Sequence, residues 1–320
     1  MSFISLITNN INTKINFDEL KVKYSMNKFL KYTLAFSLSL SIAANIATPI
    51  SASTSNISDN IYSEEYFIDD GALGDIADLE EFQDIFTFSN DQGELNWYYV
   101  GKGKDNVAEP PKESASFLKE NNAYYVGNTE EKIIYLTFDE GYENGNTGKI
   151  LDILKKLNVP AAFFVVKPYI DKEPDLVKRM VDEGHVVGNH SVHHPSMAQI
   201  HDSDKFKSEI TGVEDAYREL TGQEMPKFFR PPMGKYSKES LEMTKNLGYK
   251  TIFWSFAYKD WLINDQPSEE KGIQKITNGS HPGCIMLLHA VSDTNTKILE
   301  QVIKTLQDSG YVFKSLNDLP

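Results

Sequence analysis

The chain has 320 residues, 40% of them hydrophobic, enough for one large or two ordinary domains with a proper core. Its formal net charge of -14 excludes a nucleic-acid binder that works by neutralising phosphates. A single cysteine, Cys284, excludes an internal disulfide framework, and its apolar surroundings in the sequence fit a buried structural thiol.

Near the N-terminus, Lys28 and Lys31 precede an apolar run from Thr33 to Ala47, followed by the small residues Ser51-Ala52-Ser53. Basic, apolar and small-residue regions in that order mark an export signal. The run falls short of the about 20 residues a membrane span needs, and Met26 just ahead of it offers an alternative start. Residues 1–55 are therefore expected to form a signal peptide, or in the alternative an uncleaved membrane anchor, with the chemistry outside the cytoplasm. Residues 56–95 follow as an acidic linker. Asn56 to Glu94 has no Lys or Arg but carries Tyr62, Tyr66, Phe67, Phe82, Phe86 and Phe88, so it reads as a weakly structured segment able to dock a protein or a membrane. A compact domain is expected over 96–320.

From Lys132 onward, short apolar runs at 133–138, 161–166, 185–188, 227–230, 250–255, 284–289 and 311–314 read as strands. Between them, helical patterns cover 147–157, 174–183, 203–221, 237–247, 267–278 and 294–309, with Pro174 opening one and glycines 184, 222, 248 and 310 just past the ends of others. Repeated strand–helix units predict a parallel sheet, and about seven of them favour a barrel over an open sheet.

The first strand runs into Asp139-Glu140-Gly141, two adjacent carboxylates and a glycine that permits a sharp turn. Acids at the end of a buried strand are costly to desolvate without a cation nearby. After the third strand comes Gly188-Asn189-His190-Ser191-Val192-His193-His194-Pro195. His190 and His194, four residues apart, can share one face and one metal ion, with His193 and His185 as spare candidates. A mixed histidine and carboxylate set with open positions suits zinc or another divalent first-row metal. In Arg230-Pro231-Pro232-Met233-Gly234 the prolines remove two amide donors, so the first free donor is the amide of Met233, able to face a developing oxyanion. Arg230 is suited to a charge-assisted pair with Asp139. Asp260-Trp261 adds an acid and an aromatic that reads either as a cleft wall or as core, and the strand at 284–289 ends on His289. Five strand ends thus carry five polar clusters.

In this order the motifs resemble the polysaccharide deacetylases, also called the NodB-homology domain or carbohydrate esterase family 4. The matching stretches are TFDEG at 137–141, HSVHHP at 190–195, RPPMG at 230–234, DW at 260–261 and LLH at 287–289. Wider matches, NWYY at 96–99, FDEGYENGNT at 138–147, GNHSVHHPSM at 188–197 and Val291-Ser292, are similar to the muramic acid de-N-acetylases of spore-forming bacteria, which prepare muramic δ-lactam in cortex peptidoglycan. The resemblance implies a distorted (β/α) barrel and metal-assisted hydrolysis of an N-acetyl amide. Carried over by position, Asp139 is the general base, Arg230 orients it, His289 is the general acid and Asp260 tunes it. His190, His194 and Glu140 bind the metal, with zinc expected. Met233 contributes an oxyanion donor, Trp261 and Leu287 shape the acetyl pocket, and Tyr142 sits in a loop of the cleft wall. The family has Asp where this chain has Glu140, so a ligand one methylene longer must reach the same ion. The implied substrate is a peptidoglycan strand whose peptide an amidase has already removed, because δ-lactam formation needs a free lactyl carboxyl; Arg230, Lys235 and Lys259 are the cations near enough in sequence to meet it. The alternatives are a deacetylase of N-acetylglucosamine or chitin-like glycan and a glycan-binding protein weakened catalytically by Glu140.

Overall fold

The computed structural model describes residues 93–320; the expected signal or anchor and nearly all of the acidic linker lie outside them. β1 (Leu95–Asn96) and β2 (Ala123–Tyr124) precede the long buried β3 (Ile133–Glu140). Then come α1 (Thr147–Leu157), β4 (Ala162–Val165), α2 (Lys167–Lys172), α3 (Pro174–Asp182) and β5 (Val186–Asn189). The chain continues through α4 (Ser203–Thr221), β6 (Phe228–Phe229), β7 (Lys235–Tyr236), α5 (Lys238–Asn246) and β8 (Lys250–Ile252). It ends with α6 (Glu269–Gly279), β9 (Cys284–His289), α7 (Asp293–Asp308) and β10 (Val312–Phe313).

The expected parallel sheet is present. β3, β4, β5, β6 and β8 follow one another in parallel, and β2 lies beyond β8. β9 pairs in parallel with the other edge of β3 from Ile134 to Asp139, and β10 pairs with the start of β3. The chain leaving β8 curls round to β9 through a parallel bridge between Phe256 and Met286, with Ser255 and Leu287 amides donating across it at 3.0 and 2.8 Å. That contact brings the sheet round into the distorted barrel.

Helix boundaries follow local chemistry. Asp202, Ser237, Ser268 and Ser292 each accept amide hydrogens at the head of α4, α5, α6 and α7, satisfying donors that a helix start leaves open. Three features were not expected from the sequence: the short α2, the edge strand β2 and an antiparallel pairing of β1 with β7.

Strand alternation divides the core. Ile134, Leu136 and Phe138 of β3 pack against the helices with Phe163, Val165, Met286 and Leu288. Ile133 and Tyr135 face the barrel interior with Ala162, Phe164 and Ile285. A third cluster holds the N-terminal segment in place: Trp97 stacks on Phe253 at 4.1 Å and its indole N–H donates to the Trp254 carbonyl at 2.9 Å. Gly234, at φ 62°, is tight against both tryptophans, since a Cβ there would lie 2.9 Å from the Trp254 ring and 3.2 Å from Trp97 Cβ. Trp97 is 3% exposed, so Trp97→Ala is expected to cost about 3–5 kcal/mol of unfolding free energy, read by denaturant titration.

Candidate active site

The site gathers at the C-terminal ends of the strands. Asp139 Oδ1 accepts from Arg230 Nη1 at 2.7 Å, and the guanidinium is fully buried. Arg230 also donates from Nε to the Ile252 carbonyl at 3.1 Å and lies over the Phe164 ring, 4.2 Å from its centroid. That ring has room because residue 188 is glycine: a Cβ there would sit 2.7 Å from it. Burial lowers the Arg230 pKa from its usual value while the Asp139 carboxylate raises it.

His190 is buried, and its Nδ1 lies 2.8 Å from the Arg230 carbonyl. A carbonyl can only accept, so Nδ1 carries the hydrogen and Nε2 presents its lone pair. That lone pair faces His194 Nε2 at 3.2 Å and Asp139 Oδ2 at 3.6 Å. Two nitrogens bound to one tetrahedral zinc at about 2.0–2.1 Å would stand roughly 3.3 Å apart, so the histidine pair fits a shared ion. The turn is held by Asn189, whose Oδ1 accepts the Ser191 amide at 2.9 Å, and by Ser191 Oγ, which accepts the His194 amide at 2.9 Å.

Glu140 is placed differently from the expectation. The strand does not stop at Phe138 but runs on through Glu140, so alternation sends Asp139 inward and Glu140 to the helix side. There it lies fully buried, near Glu143, Thr147 and Tyr169. Burial first, then Glu143 and Asp139, push its pKa well above the usual carboxylate range. Among the described residues no three histidine, cysteine, aspartate or glutamate side chains form a ready metal cluster. The residues that fit an ion are His190 and His194, without Glu140.

The spare histidines lie elsewhere. His193 is exposed and paired with Glu209 at 2.7 Å. His185 sits at the start of β5, where its Nδ1 accepts the Ala161 amide at 3.2 Å and burial lowers its pKa.

Opposite Asp139 stands His289, its register partner on β9. Its Nδ1 is 2.6 Å from Asp260 Oδ1, and its amide donates to Asp260 Oδ2 at 2.9 Å. Trp261 lies 5.5 Å from the His289 ring and is partly buried, which favours the cleft-wall reading over core. Leu287 is buried one inward-facing position below His289, among Trp97, Phe253 and Trp254. Tyr142 is 39% exposed on the loop after β3. Met233 adopts a left-handed backbone, φ 58° and ψ 12°. The cations considered for a substrate carboxylate all have partners: Arg230 has Asp139, Lys235 has Glu94 at 3.7 Å, and Lys259 has Asp265 at 2.7 Å in an exposed pair.

Several supporting residues had no role assigned from the sequence, some of them inside the matched stretches 138–147 and 188–197. Asn144 and Asn146 donate to the Val291 carbonyl at 2.9 and 3.3 Å, tying one cleft loop to the head of α7. Glu94 accepts from Ser196 and Gln199, linking β1 to the histidine loop. Amide and carboxylate side chains at such positions look like ordinary loop residues until the fold brings their partners close.

The placement of Glu140 has a thermodynamic consequence. Its pKa is higher folded than unfolded, so as pH rises above the usual glutamate value of about 4.3 the unfolded chain ionises first and stability falls. Glu140→Gln removes that loss. Its stability relative to the parent is expected to grow from pH 4 to pH 8, by at most about 1.4 kcal/mol per pH unit, in denaturant titrations. A pH-independent difference would place the carboxyl in contact with solvent.

The polysaccharide deacetylase family model matches residues 126–252. An uncharacterized 30.6 kDa protein of Geobacillus stearothermophilus from the fumA 3' region is 50% identical over 228 residues, covering 70% of this chain and 84% of its own length. The peptidoglycan-N-acetylmuramic acid deacetylase PdaA of Bacillus subtilis (strain 168) is 42% identical over 225 residues, covering 70% of this chain and 85% of PdaA. A solved structure of Bacillus subtilis PdaA, described as a family 4 carbohydrate esterase, superposes with a TM-score of 0.69 at 41% identity, over 72% of this chain and 98% of that one. Members of this family are in general metal-dependent hydrolases. With the motif residues gathered at one end of a distorted parallel barrel, and with relatives this similar over most of their length, the chain belongs to the polysaccharide deacetylases of carbohydrate esterase family 4.

Proposed function

We propose that the protein removes the N-acetyl group of muramic acid in peptidoglycan, leading to muramic δ-lactam in spore cortex. One observation carries the chemistry: Asp139 and His289, each fixed by its own buried charged partner, are direct neighbours across β3 and β9. The substrate reading is supported by the 42% identity to the Bacillus subtilis muramic acid deacetylase.

With Oδ1 engaged by Arg230, Asp139 receives the proton of the attacking water through Oδ2. The Met233 amide, presented by its left-handed backbone, faces the oxygen that gains charge as the amide carbon becomes tetrahedral. His289, with Nδ1 committed to Asp260, delivers a proton from Nε2 to the departing amine. Water and the N-acetyl group thus become acetate and a free amine. Trp261 and Leu287 bound the acetyl pocket beside His289, and Tyr142 contacts the glycan from the facing loop. His190 and His194 hold a divalent ion, for which zinc suits the nitrogen donors; when bound it supplies Lewis-acid polarisation of the carbonyl and a more acidic water.

The protein is read as exported and acting outside the cytoplasm, with residues 1–55 as signal or anchor and 56–95 as a docking segment. A free lactyl carboxyl on the substrate requires prior action by an amidase. Lys259 is the cation best suited to that carboxyl, because its exposed pair with Asp265 is easily exchanged.

Asp139→Asn is expected to abolish acetate release with the fold intact, and His289→Ala to slow it by about 10²–10⁴-fold. His190→Ala or His194→Ala should weaken metal affinity at least about tenfold, read by metal titration with calorimetric detection. On substrates, acetate release from peptide-stripped glycan should exceed that from intact peptidoglycan or chitin oligomers. Equal activity on chitin oligomers, with δ-lactam still present in spores of a deletion strain, would overturn the substrate and leave the deacetylase chemistry standing.

A further inference from the structure

Asp260 is fully buried, and its carboxylate does more than touch His289. Oδ1 faces His289 Nδ1 at 2.6 Å, while Oδ2 accepts both the His289 amide and the side-chain amide Nδ2 of Asn295. The other end of that side chain, Asn295 Oδ1, accepts the hydroxyl hydrogen of Tyr258. A phenol facing an amide oxygen must donate. The Asp260 carboxylate can only accept, so it fixes which end of Asn295 meets it, and the Tyr258 hydroxyl, donating to Oδ1, holds the amide in that sense.

Asn295 is anchored in turn. It is 1% exposed in the first turn of α7, and its backbone amide donates to Ser292 Oγ at 3.0 Å. Ser292 Oγ donates to Gln266 Oε1 at 2.6 Å, and Gln266 Nε2 donates to the Asp260 backbone carbonyl at 2.7 Å. The ring Asp260–Asn295–Ser292–Gln266–Asp260 is closed, so the loop carrying Asp260 is held at its side chain and its backbone by the head of one helix. A buried carboxylate depends on such donors, because each is worth more where water is excluded.

We propose that Asn295, oriented by Tyr258, is a positioning residue for the reaction: it holds Asp260 in the one arrangement that aims His289 at the leaving nitrogen. This rests on the reading of His289 as general acid. Asn295 lies behind Asp260 and the acetyl pocket is bounded by Trp261 and Leu287, so loss of Asn295 should be felt in turnover and not in substrate binding.

The test is steady-state acetate release by the full chain on peptide-stripped glycan, with unfolding midpoints to confirm folding. Asn295→Ala is expected to lower kcat by about 10–100-fold with KM within about twofold, since a charge-assisted hydrogen bond is lost. Tyr258→Phe, which removes the donor that holds Asn295 Oδ1 and so loosens the amide against Asp260, should lower kcat by about 3–10-fold with KM likewise held. The double variant should be no slower than Asn295→Ala alone, because the hydroxyl acts only through the amide. A folded Asn295→Ala enzyme with parental kcat, or two effects that simply multiply, would overturn the proposal. Should Asn295→Ala not fold, Tyr258→Phe carries the test by the same split, and a parental kcat there overturns it. His289→Ala separates the two levels. If it keeps the parental kcat, the general-acid reading falls; if it is inactive while Asn295→Ala is unimpaired, only the role of Asn295 falls.

Discussion

Arg230 is the point on which the site depends. One fully buried guanidinium pairs with Asp139 on β3, lies over Phe164 of β4 and donates to the Ile252 carbonyl of β8, while its own carbonyl meets His190 just past β5. An isolated buried cation would be prohibitive, and breaking one partner of such a pair commonly costs about 3–5 kcal/mol. The surroundings offset that cost with the aspartate and with aromatic faces from Phe164 and Trp254. The same residue therefore holds Asp139, selects the His190 tautomer and fixes four strand ends relative to each other. A lysine, with one compact charge and no planar fork, could not make these contacts together.

Backbone strain falls in the same place. Six non-glycine described residues have left-handed backbone; three are Asp or Asn, which tolerate it, and the others are Ser191, His194 and Met233. All three lie in the motif loops. Each costs of order 1–3 kcal/mol and persists because its surroundings over-determine it. Ser191 and His194 are held by the Asn189 and Ser191 side chains, and Met233 by prolines on one side and the Trp97–Trp254 contact with Gly234 on the other. The return on that strain is placement: the imidazoles of His190 and His194 meet at 3.2 Å.

Much of this was legible in the sequence because chemistry at a strand end leaves a local mark. TFDEG, HSVHHP, RPPMG, DW and LLH each follow a short apolar run, and helix starts such as Ser237 and Ser292 announce themselves by their caps. What failed was a question of parity. An expected turn at Gly141 left both acids free to point forward, whereas two further residues of pairing with β4 impose alternation on them. A local pattern cannot reveal where a neighbouring strand stops pairing. Asn295, Gln266 and Glu94 were illegible for a related reason: each is an unremarkable polar residue whose meaning comes from partners 35, 26 and 102 residues away.

Glu94 and Trp97 also show how the cleft is completed from outside the matched family region, which begins at residue 126. β1 pairs with β7 directly after Gly234, the Trp97 amide donates to the Gly234 carbonyl at 2.8 Å, and Glu94 reaches both Lys235 and the Ser196–Gln199 turn. One short segment thus joins the loop bearing the histidine pair to the loop bearing Met233. The Met233 loop has no long strand on either side, since β6 and β7 are two residues each, and the histidine loop follows the four-residue β5. Rigidity that an extended sheet would supply comes instead from the indole packed on Phe253 and from the Glu94 bonds. The barrel carries Asp139 and His289 on its longest strands, β3 and β9, and the N-terminal segment braces the histidine loop and the Met233 loop from outside it.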